Sequence, residues 1–319
     1  MDARPRQRYH AGAMFVLVVG DANADLCARL ARFPREGDDS PLAGLDWQSG
    51  GSALNVATAL ARLGGRARLA ARVGVDPAAE VALDAPRRAG VALELVQRDP
   101  SLATGLCFAA VSPGGERTFF SYRGANVALA GVDAPAAFRD AAWLHLGAHA
   151  LIEGPQRATA LALIDEAERR ALGVSVDLCL PLVRGAPAEA RAIVARAAVA
   201  FANERESEAA EAAGVALGAA RVLVEKLGAR GARVCRSGQG VGVPAFAVEA
   251  RDTTACGDAF VAGFLLATVR GALPEHAAVV GNAAGALTAT RPGAAPALPS
   301  RDEVRGLLVE RGASEASLL

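Results

Sequence analysis

The stretch "RDTTACGDAF" at residues 251–260 runs into the apolar segment "AFVAGFLLATV", and the rest of the chain can be ordered around this junction. Small residues at 255–257 let a ligand approach the backbone closely. A helix beginning near Asp258 presents N–H groups that have no intrahelical acceptor. Such a helix mouth suits a phosphate, and a carboxylate on it can take a proton from an incoming hydroxyl. Together these describe phosphoryl transfer, with oxyanion stabilisation beside a positioned base. The same letters also describe an ordinary capped helix, with Asp252, Thr253 or Asp258 as cap. The surrounding chain has to decide.

That chain alternates. "MFVLVVG" (14–20), "ARLAARVG" (67–74), "AAWLHLGA" (141–148), "VSVDL" (174–178), "AVAFAN" (198–203) and "RVLVEKLG" (221–228) read as buried strands. Helical spacing runs through "SALNVATALARLG" (52–64), "DPAAEVALDAPRRAG" (76–90) and "GPQRATALALIDEAERRALG" (154–173). It also runs through "AEARAIVARA" (188–197), "ERESEAAEAAG" (204–214) and most of the chain after the junction. Strand–helix alternation implies a mostly parallel sheet covered by helices on both faces, with ligands at the carboxyl ends of the strands. Two stretches, 27–51 and 104–124, break the pattern with β segments divided by Pro/Gly turns, and are expected to pair into a small sheet serving as a lid or a dimer surface. The expected division is an N-terminal tail at 1–13, one α/β domain at 14–312 and a C-terminal tail at 313–319.

Composition narrows the function. Lys+Arg and Asp+Glu both number 34, so the net charge is zero and nothing favours a nucleic acid or an acidic membrane as partner. Five scattered cysteines form no C-x-x-C pair and read as reduced cytoplasmic thiols. No apolar run is long enough to span a bilayer. Lys226 is the only lysine, so no G-x-x-x-x-G-K-[ST] phosphate loop exists. In "SGGSALNVATALARLGG" (49–65), Gly50 and Gly51 permit close backbone approach, and the Asn55 amide can bind a polyol hydroxyl as donor or acceptor. Asp25, in "GDANADL" (20–26), lies just past the first strand at the expected carboxyl edge.

These residues resemble the ribokinase-like (PfkB) carbohydrate kinases. The resemblance rests on "SGGSALNVATALARLGG" and "DTTACGDAFVAGFLLA", with "GDANADL", "NERE" (203–206), "KLGARG" (226–231) and "NAAGALTATRPGAAPALP" (282–299) in the family order. It implies a three-layer αβα domain with a small β lid, ATP and Mg²⁺, a sugar or nucleoside acceptor, and a homodimer formed through the lid. By that resemblance Asp258 is the base, and the backbone of Ala255, Cys256 and Gly257 holds the transferring phosphate. Asp25, Gly50, Gly51 and Asn55 bind acceptor hydroxyls, with Arg123 reaching in from the lid. Asn203 and Glu206 lie on the phosphate–Mg²⁺ side, while Lys226, Gly228, Gly231 and Asn282 line the nucleotide. Asp252 and Thr254, with carbonyls near Arg291 and Gly293, match positions that bind K⁺ in many members.

The sequence departs from the family in three places. "ACGD" replaces the usual "GAGD", which puts a methyl at 255 where glycine could adopt positive φ cheaply. It also puts a thiol, Cys256, at a helix N-terminus, where a lowered pKa and greater reactivity are expected. After a central strand, "DLCLP" keeps Asp177 but replaces the rest of a D-x-N-x-R element with Cys179 and Pro181, against an acidic keto-sugar. His145 and His149 flank Gly147 where a strict ribokinase would carry a carboxylate, and both are read as structural. The leading expectation is a sugar kinase. A nucleoside kinase and a non-catalytic sensor on the same fold are the alternatives.

Overall fold

Strand β1 (Phe15–Val19) shows how the layers arise. Its Val16 and Val18 enter one apolar core and its Leu17 and Val19 a second, because successive side chains point to opposite faces of a sheet. With both faces covered, the strand reads as an unbroken apolar run. The computed structural model describes residues 15–114 and 116–319; the expected tail at 1–13 lies outside them.

After β1 come β2 (Asn23–Leu30), β3 (Leu42–Gly50), α1 (Ser52–Arg62), β4 (Arg66–Gly74), α2 (Pro77–Ala89) and β5 (Ala92–Asp99). Next are β6 (Gly105–Val111), β7 (Arg117–Tyr122), the one-turn α3 (Ala134–Ala137), β8 (Ala141–Gly147), α4 (Gly154–Arg169) and β9 (Gly173–Asp177). They lead to α5 (Leu180–Gly185), α6 (Pro187–Arg196), β10 (Val199–Asn203), α7 (Glu204–Ala212) and β11 (Val222–Lys226). The chain ends with β12 (Ala232–Arg236), β13 (Gln239–Val243), α8 (Cys256–Val269), α9 (Pro274–Ala289) and α10 (Arg301–Glu310).

The large sheet has the order β13–β12–β11–β10–β9–β8–β1–β4–β5. Pairing is parallel from β11 through to β5, and β12 and β13 are added antiparallel at one edge. One core holds the apolar faces of α1, α2, α8, α9 and α10, and the other those of α4 to α7, which makes three layers. The two stretches that broke the alternation form a separate sheet, β3–β2–β6–β7, as expected. It leaves Leu45, Trp47, Phe119, Phe120 and Tyr122 exposed.

Two features set the position of α8. Phe201 on β10 meets Phe264 edge-on, ring centroids 5.1 Å apart at 89°, and Phe260 packs edge-on against the same ring at 6.4 Å. Such pairs contribute about 0.5–1.5 kcal/mol each beyond area burial. Helix α9 crosses α8 with almost no space between them: a Cβ at Gly281 would lie 2.8 Å from the Phe260 carbonyl. Together they hold the first turn of α8 at the carboxyl edge of the sheet. The expected C-terminal tail, 313–319, packs against the domain. Residues Ser314–Leu318 form a 3-10 turn, Leu319 is buried, and Glu315 Oε1 meets His276 Nδ1 at 2.5 Å.

Candidate active site

Helix α8 begins at Cys256, so Asp258 lies in its first turn. Its carboxylate is gripped from α1: Ser52 Oγ donates to Oδ1 at 2.7 Å and Asn55 Nδ2 to Oδ2 at 2.9 Å. Burial pushes the Asp258 pKa up, and these two hydrogen bonds offset only part of that push. Beside it, burial and the Asp258 charge lift Asp25 to about 7. Asp25 Oδ1 and Asn55 Oδ1 are both buried without a hydrogen-bond partner. Two unpaired acceptors next to a carboxylate call for hydroxyl donors.

Gly50 and Gly51 have separate tasks. A Cβ at Gly50 would lie 2.1 Å from the Asp25 carboxylate, so the missing side chain makes room for Asp25. Gly51 caps α1 with φ 92°, and a Cβ there would lie 2.5 Å from the Asp21 carbonyl.

The turn 252–255 is held from several sides. Asp252 Oδ1 accepts the Thr254 N–H at 2.7 Å and Oδ2 the Gly293 N–H at 2.9 Å, while Arg117 Nη2 lies 2.6 Å from Oδ1. Burial opposes ionisation of Asp252, but these donors outweigh it and keep the carboxyl below its ordinary range. Ala255 is left-handed, with φ 58° and ψ 7°. The position where alanine replaces glycine is therefore one where the methyl is strained. The Cys256 N–H bonds back to the Thr253 carbonyl at 3.3 Å. The expectation for the Cys256 thiol is overturned: burial, with Asp252 and Asp258 nearby, pushes it up to about 12, against any favourable effect of the helix terminus.

On the other side of this turn a Cβ at Gly257 would lie 3.4 Å from Lys226 Nζ. Lys226 ends β11, and its Nζ lies 2.5 Å from Asp177 Oδ1 at the end of β9. Burial works against its charge, but Asp177, Glu206 and Asp258 outweigh that and hold its proton. Asn203 and Glu206 form a reciprocal capping box at the start of α7. Burial lifts Glu206 to about 7, with Lys226 opposing the shift and Asp177 adding to it.

The other expected residues have these surroundings. Arg123 does not enter the acceptor site with a free guanidinium: its Nη2 is 3.0 Å from Asp21 Oδ1 and 2.5 Å from Gln156 Oε1, and Nη1 is 3.2 Å from Glu153. Asn282 spends its amide N–H groups on the Val243 and Pro244 carbonyls, both at 3.0 Å, and so shapes the loop after β13. Gly228 and Gly231 bracket the turn after β11, and Gly231 abuts that same loop. Arg291 pairs with Glu303 on α10. His145 is buried against Ser175 Oγ at 2.9 Å and pushed down to about 3 by burial and by Lys226, which fits its structural reading. Ser52, Asp21, Gln156 and Arg117 were missed. Only Ser52 had a local signal, since it precedes Asn55 by three positions and shares its helix face.

The pfkB family of carbohydrate kinases matches residues 13–301. The chain belongs to that family. It is a carbohydrate kinase. The kinase is 33% identical over 301 residues to an ATP-dependent ribose-1-phosphate kinase of Halopiger xanaduensis, covering 93% of this chain and 98% of the relative. It is 31% identical over 286 residues to probable fructokinase-4 of Arabidopsis thaliana, covering 81% of the kinase and 87% of that protein. The crystal structure of a Thermotoga maritima ribokinase superposes with a TM-score of 0.77 at 26% identity, covering 93% of the kinase and all of the ribokinase chain. Among the described residues no helix is long and apolar enough to cross a membrane.

Two ions implied by the family meet different surroundings in this kinase. No group of three or more His, Cys, Asp or Glu side chains that could hold a metal occurs among the described residues. Mg²⁺ is commonly held by one or two carboxylates, substrate phosphates and waters, and Glu206, the carboxylate expected on its side, accepts the Asn203 N–H through Oε2 at 2.7 Å. K⁺ fits poorly at Asp252, whose oxygens already face the Arg117 guanidinium and two backbone N–H groups.

Proposed function

We propose that the kinase transfers the γ-phosphoryl group of ATP to a hydroxyl of a small sugar, with Asp258 as the base. The observation that carries this reading is the Asp258 carboxylate in the first turn of α8, held by Ser52 and Asn55 beside the unpaired oxygens of Asp25 and Asn55. Those two oxygens accept hydroxyl protons of the sugar and turn one hydroxyl toward Asp258. As that oxygen bonds to the γ-phosphorus, its proton passes to the Asp258 carboxylate. The bond to the bridging oxygen breaks, and ADP leaves with the electron pair.

In this reading the backbone of Ala255, Cys256 and Gly257 at the mouth of α8 holds the transferring phosphoryl group, the Cys256 N–H exchanging the Thr253 carbonyl for a phosphoryl oxygen, and the Lys226 ammonium beside Gly257 adds positive charge. Mg²⁺ bound with ATP supplies further neutralisation of the phosphate oxygens. The acceptor is neutral at its binding end, because Arg123, the arginine expected to reach it, is already spent on Asp21, Gln156 and Glu153. Two copies of the chain pair through the exposed apolar side chains of the lid.

The deciding experiment is an ATP-coupled assay over a panel of free sugars, sugar phosphates and nucleosides. Turnover is expected with a free pentose or hexose. Turnover confined to nucleosides would overturn the sugar assignment, and binding without turnover by any member would overturn the kinase chemistry.

A further inference from the structure

Arg117 opens β7 in the lid, yet its guanidinium lies against the turn that precedes α8. One terminal nitrogen, Nη2, is 2.6 Å from Asp252 Oδ1, and the other, Nη1, donates to Thr254 Oγ1. Both partners of the ion pair are largely shielded, with 21% of the Arg117 side chain and 11% of the Asp252 side chain exposed. An ion pair shielded to this degree is screened far less by salt than a surface one. The Thr254 and Gly293 N–H groups complete the shell of the carboxylate. A monovalent cation needs oxygen ligands, and here the surrounding groups are N–H donors directed at the same carboxylate. Seating one would put a second positive charge on a carboxylate already neutralised by arginine.

A second lid strand grips the adjoining loop. Gln48 Oε1 on β3 accepts the Ala294 N–H at 2.9 Å, next to the Gly293 N–H that binds Asp252. The lid thus holds both strips of backbone that meet at Asp252. The residue following this clamp is the left-handed Ala255, a conformation that persists only where its surroundings over-determine it.

We propose that Arg117 is a tethered cation that takes the place of a bound monovalent ion. Carried on the lid, it positions the 252–255 turn for phosphoryl binding. The kinase is therefore independent of potassium, and the turn is set only while the lid is docked. Arg117 is a positioning residue: it acts through Asp252 and Thr254. The assignment rests on reading the α8 N-terminus as the phosphoryl site, and the melting measurements below do not depend on that reading.

The test compares the full-length kinase in KCl, NaCl and tetramethylammonium chloride at matched ionic strength. The melting temperature with and without ADP and the steady-state rate are read in each salt. The wild type should give the same melting temperature and the same rate in all three salts. A potassium-specific rise in melting temperature or a several-fold potassium-specific activation of the wild type would overturn the proposal. Arg117→Ala should lower kcat by about tenfold or more, with a smaller change in the acceptor KM, as expected when the reacting group is misplaced rather than unbound. Arg117→Lys, which keeps the charge but not the fork, should recover part of that loss. An Arg117→Ala protein that melts normally and keeps wild-type kcat would refute the positioning role. If no acceptor is turned over in any salt, the function reading fails, while the melting comparison still decides whether a potassium site exists.

Discussion

The Ser52 hydroxyl donates to Asp258 Oδ1 at 2.7 Å, joining the first turn of α1 to the first turn of α8 across 206 positions of sequence. Because both helices start at the carboxyl edge of the sheet, two helix N-termini converge on one carboxylate. Their dipoles favour negative charge there while burial opposes it. The Asp258 pKa is raised because burial outweighs its hydrogen bonds, which leaves a carboxylate more basic than usual and oriented by two donors.

Replacing Asp258 by Asn keeps the shape and removes the proposed proton acceptor. Asp258→Asn should reduce kcat by about 10²–10⁴-fold, the range for a positioned base. ATP affinity, measured by titration calorimetry, should change little. Turnover near the wild-type rate would show that another group takes the proton.

The pH dependence follows from the two raised carboxyls. As the proposed base, Asp258 acts only when deprotonated, so kcat/KM should rise with pH through an apparent pKa above the ordinary Asp value of about 4. Asp25, at about 7, is protonated more readily in the folded than in the unfolded chain. Its contribution to stability is therefore full below the unfolded value and is lost as pH rises through about 7. Asp25→Asn should then melt higher than wild type at about pH 8 and equally near about pH 4, by at most a few kcal/mol, while acceptor binding weakens. Melting curves at the two pH values check the sign.

Ala255 at φ 58° carries a left-handed strain of about 1–2 kcal/mol, partly offset by the smaller chain entropy that alanine loses relative to glycine. Ala255→Gly should leave the melting temperature unchanged or raise it slightly, with kcat equal to or above wild type. A clear loss of stability would mean that the methyl makes packing contacts worth more than the strain.

Lys226→Met strips the cation from Asp177 and Glu206 and leaves uncompensated charge in the interior. Such a loss costs about 3–5 kcal/mol. Chemical denaturation should show most of it returning in the Lys226→Met/Asp177→Asn double variant, while kcat stays low in both because the charge beneath Gly257 is gone.

The lid leaves Trp47 and Phe119 about half exposed, at 50% and 57%. If two copies meet there, sedimentation velocity should report a dimer for the wild type. Trp47→Glu with Phe119→Glu should then shift it to monomer. A wild-type monomer at about micromolar concentration would remove the lid as an interface.

Much of the architecture was legible because parallel strands buried on both faces leave long apolar runs, as in β1, and the helices between them keep their 3.6-residue spacing. The paired β segments of the lid were legible for the opposite reason, since Pro/Gly turns interrupt that rhythm. Asp25, Asn55 and Asp258 stand out in the sequence because each lies shortly after β1 or near the start of a helix, at the edge where ligands bind, and the structure brings the three together. Arg123 and Asn282 are expected at the ligand from their place in the family order, and the contacts they make with Asp21 and with the Val243 carbonyl are not announced by their own segments. The destination of a long or amide side chain is not encoded in its own segment. Cys256 was misjudged because a helix terminus can be read from local order, whereas the burial that raises its pKa cannot.

The sequence by itself determined the covered parallel sheet, the second small sheet and the carboxylate at the head of α8, since these are written in periodicities and short-range spacings, while the family entered through the resemblance of its motifs. Only the tertiary structure decided which charges meet. The pairing of Arg117 with Asp252, of Lys226 with Asp177 and of Ser52 with Asp258 joins segments far apart in the chain, brought together by the burial of apolar faces that none of these residues belongs to. Electrostatics at the site is therefore a consequence of packing, and it became readable only once the packing was known.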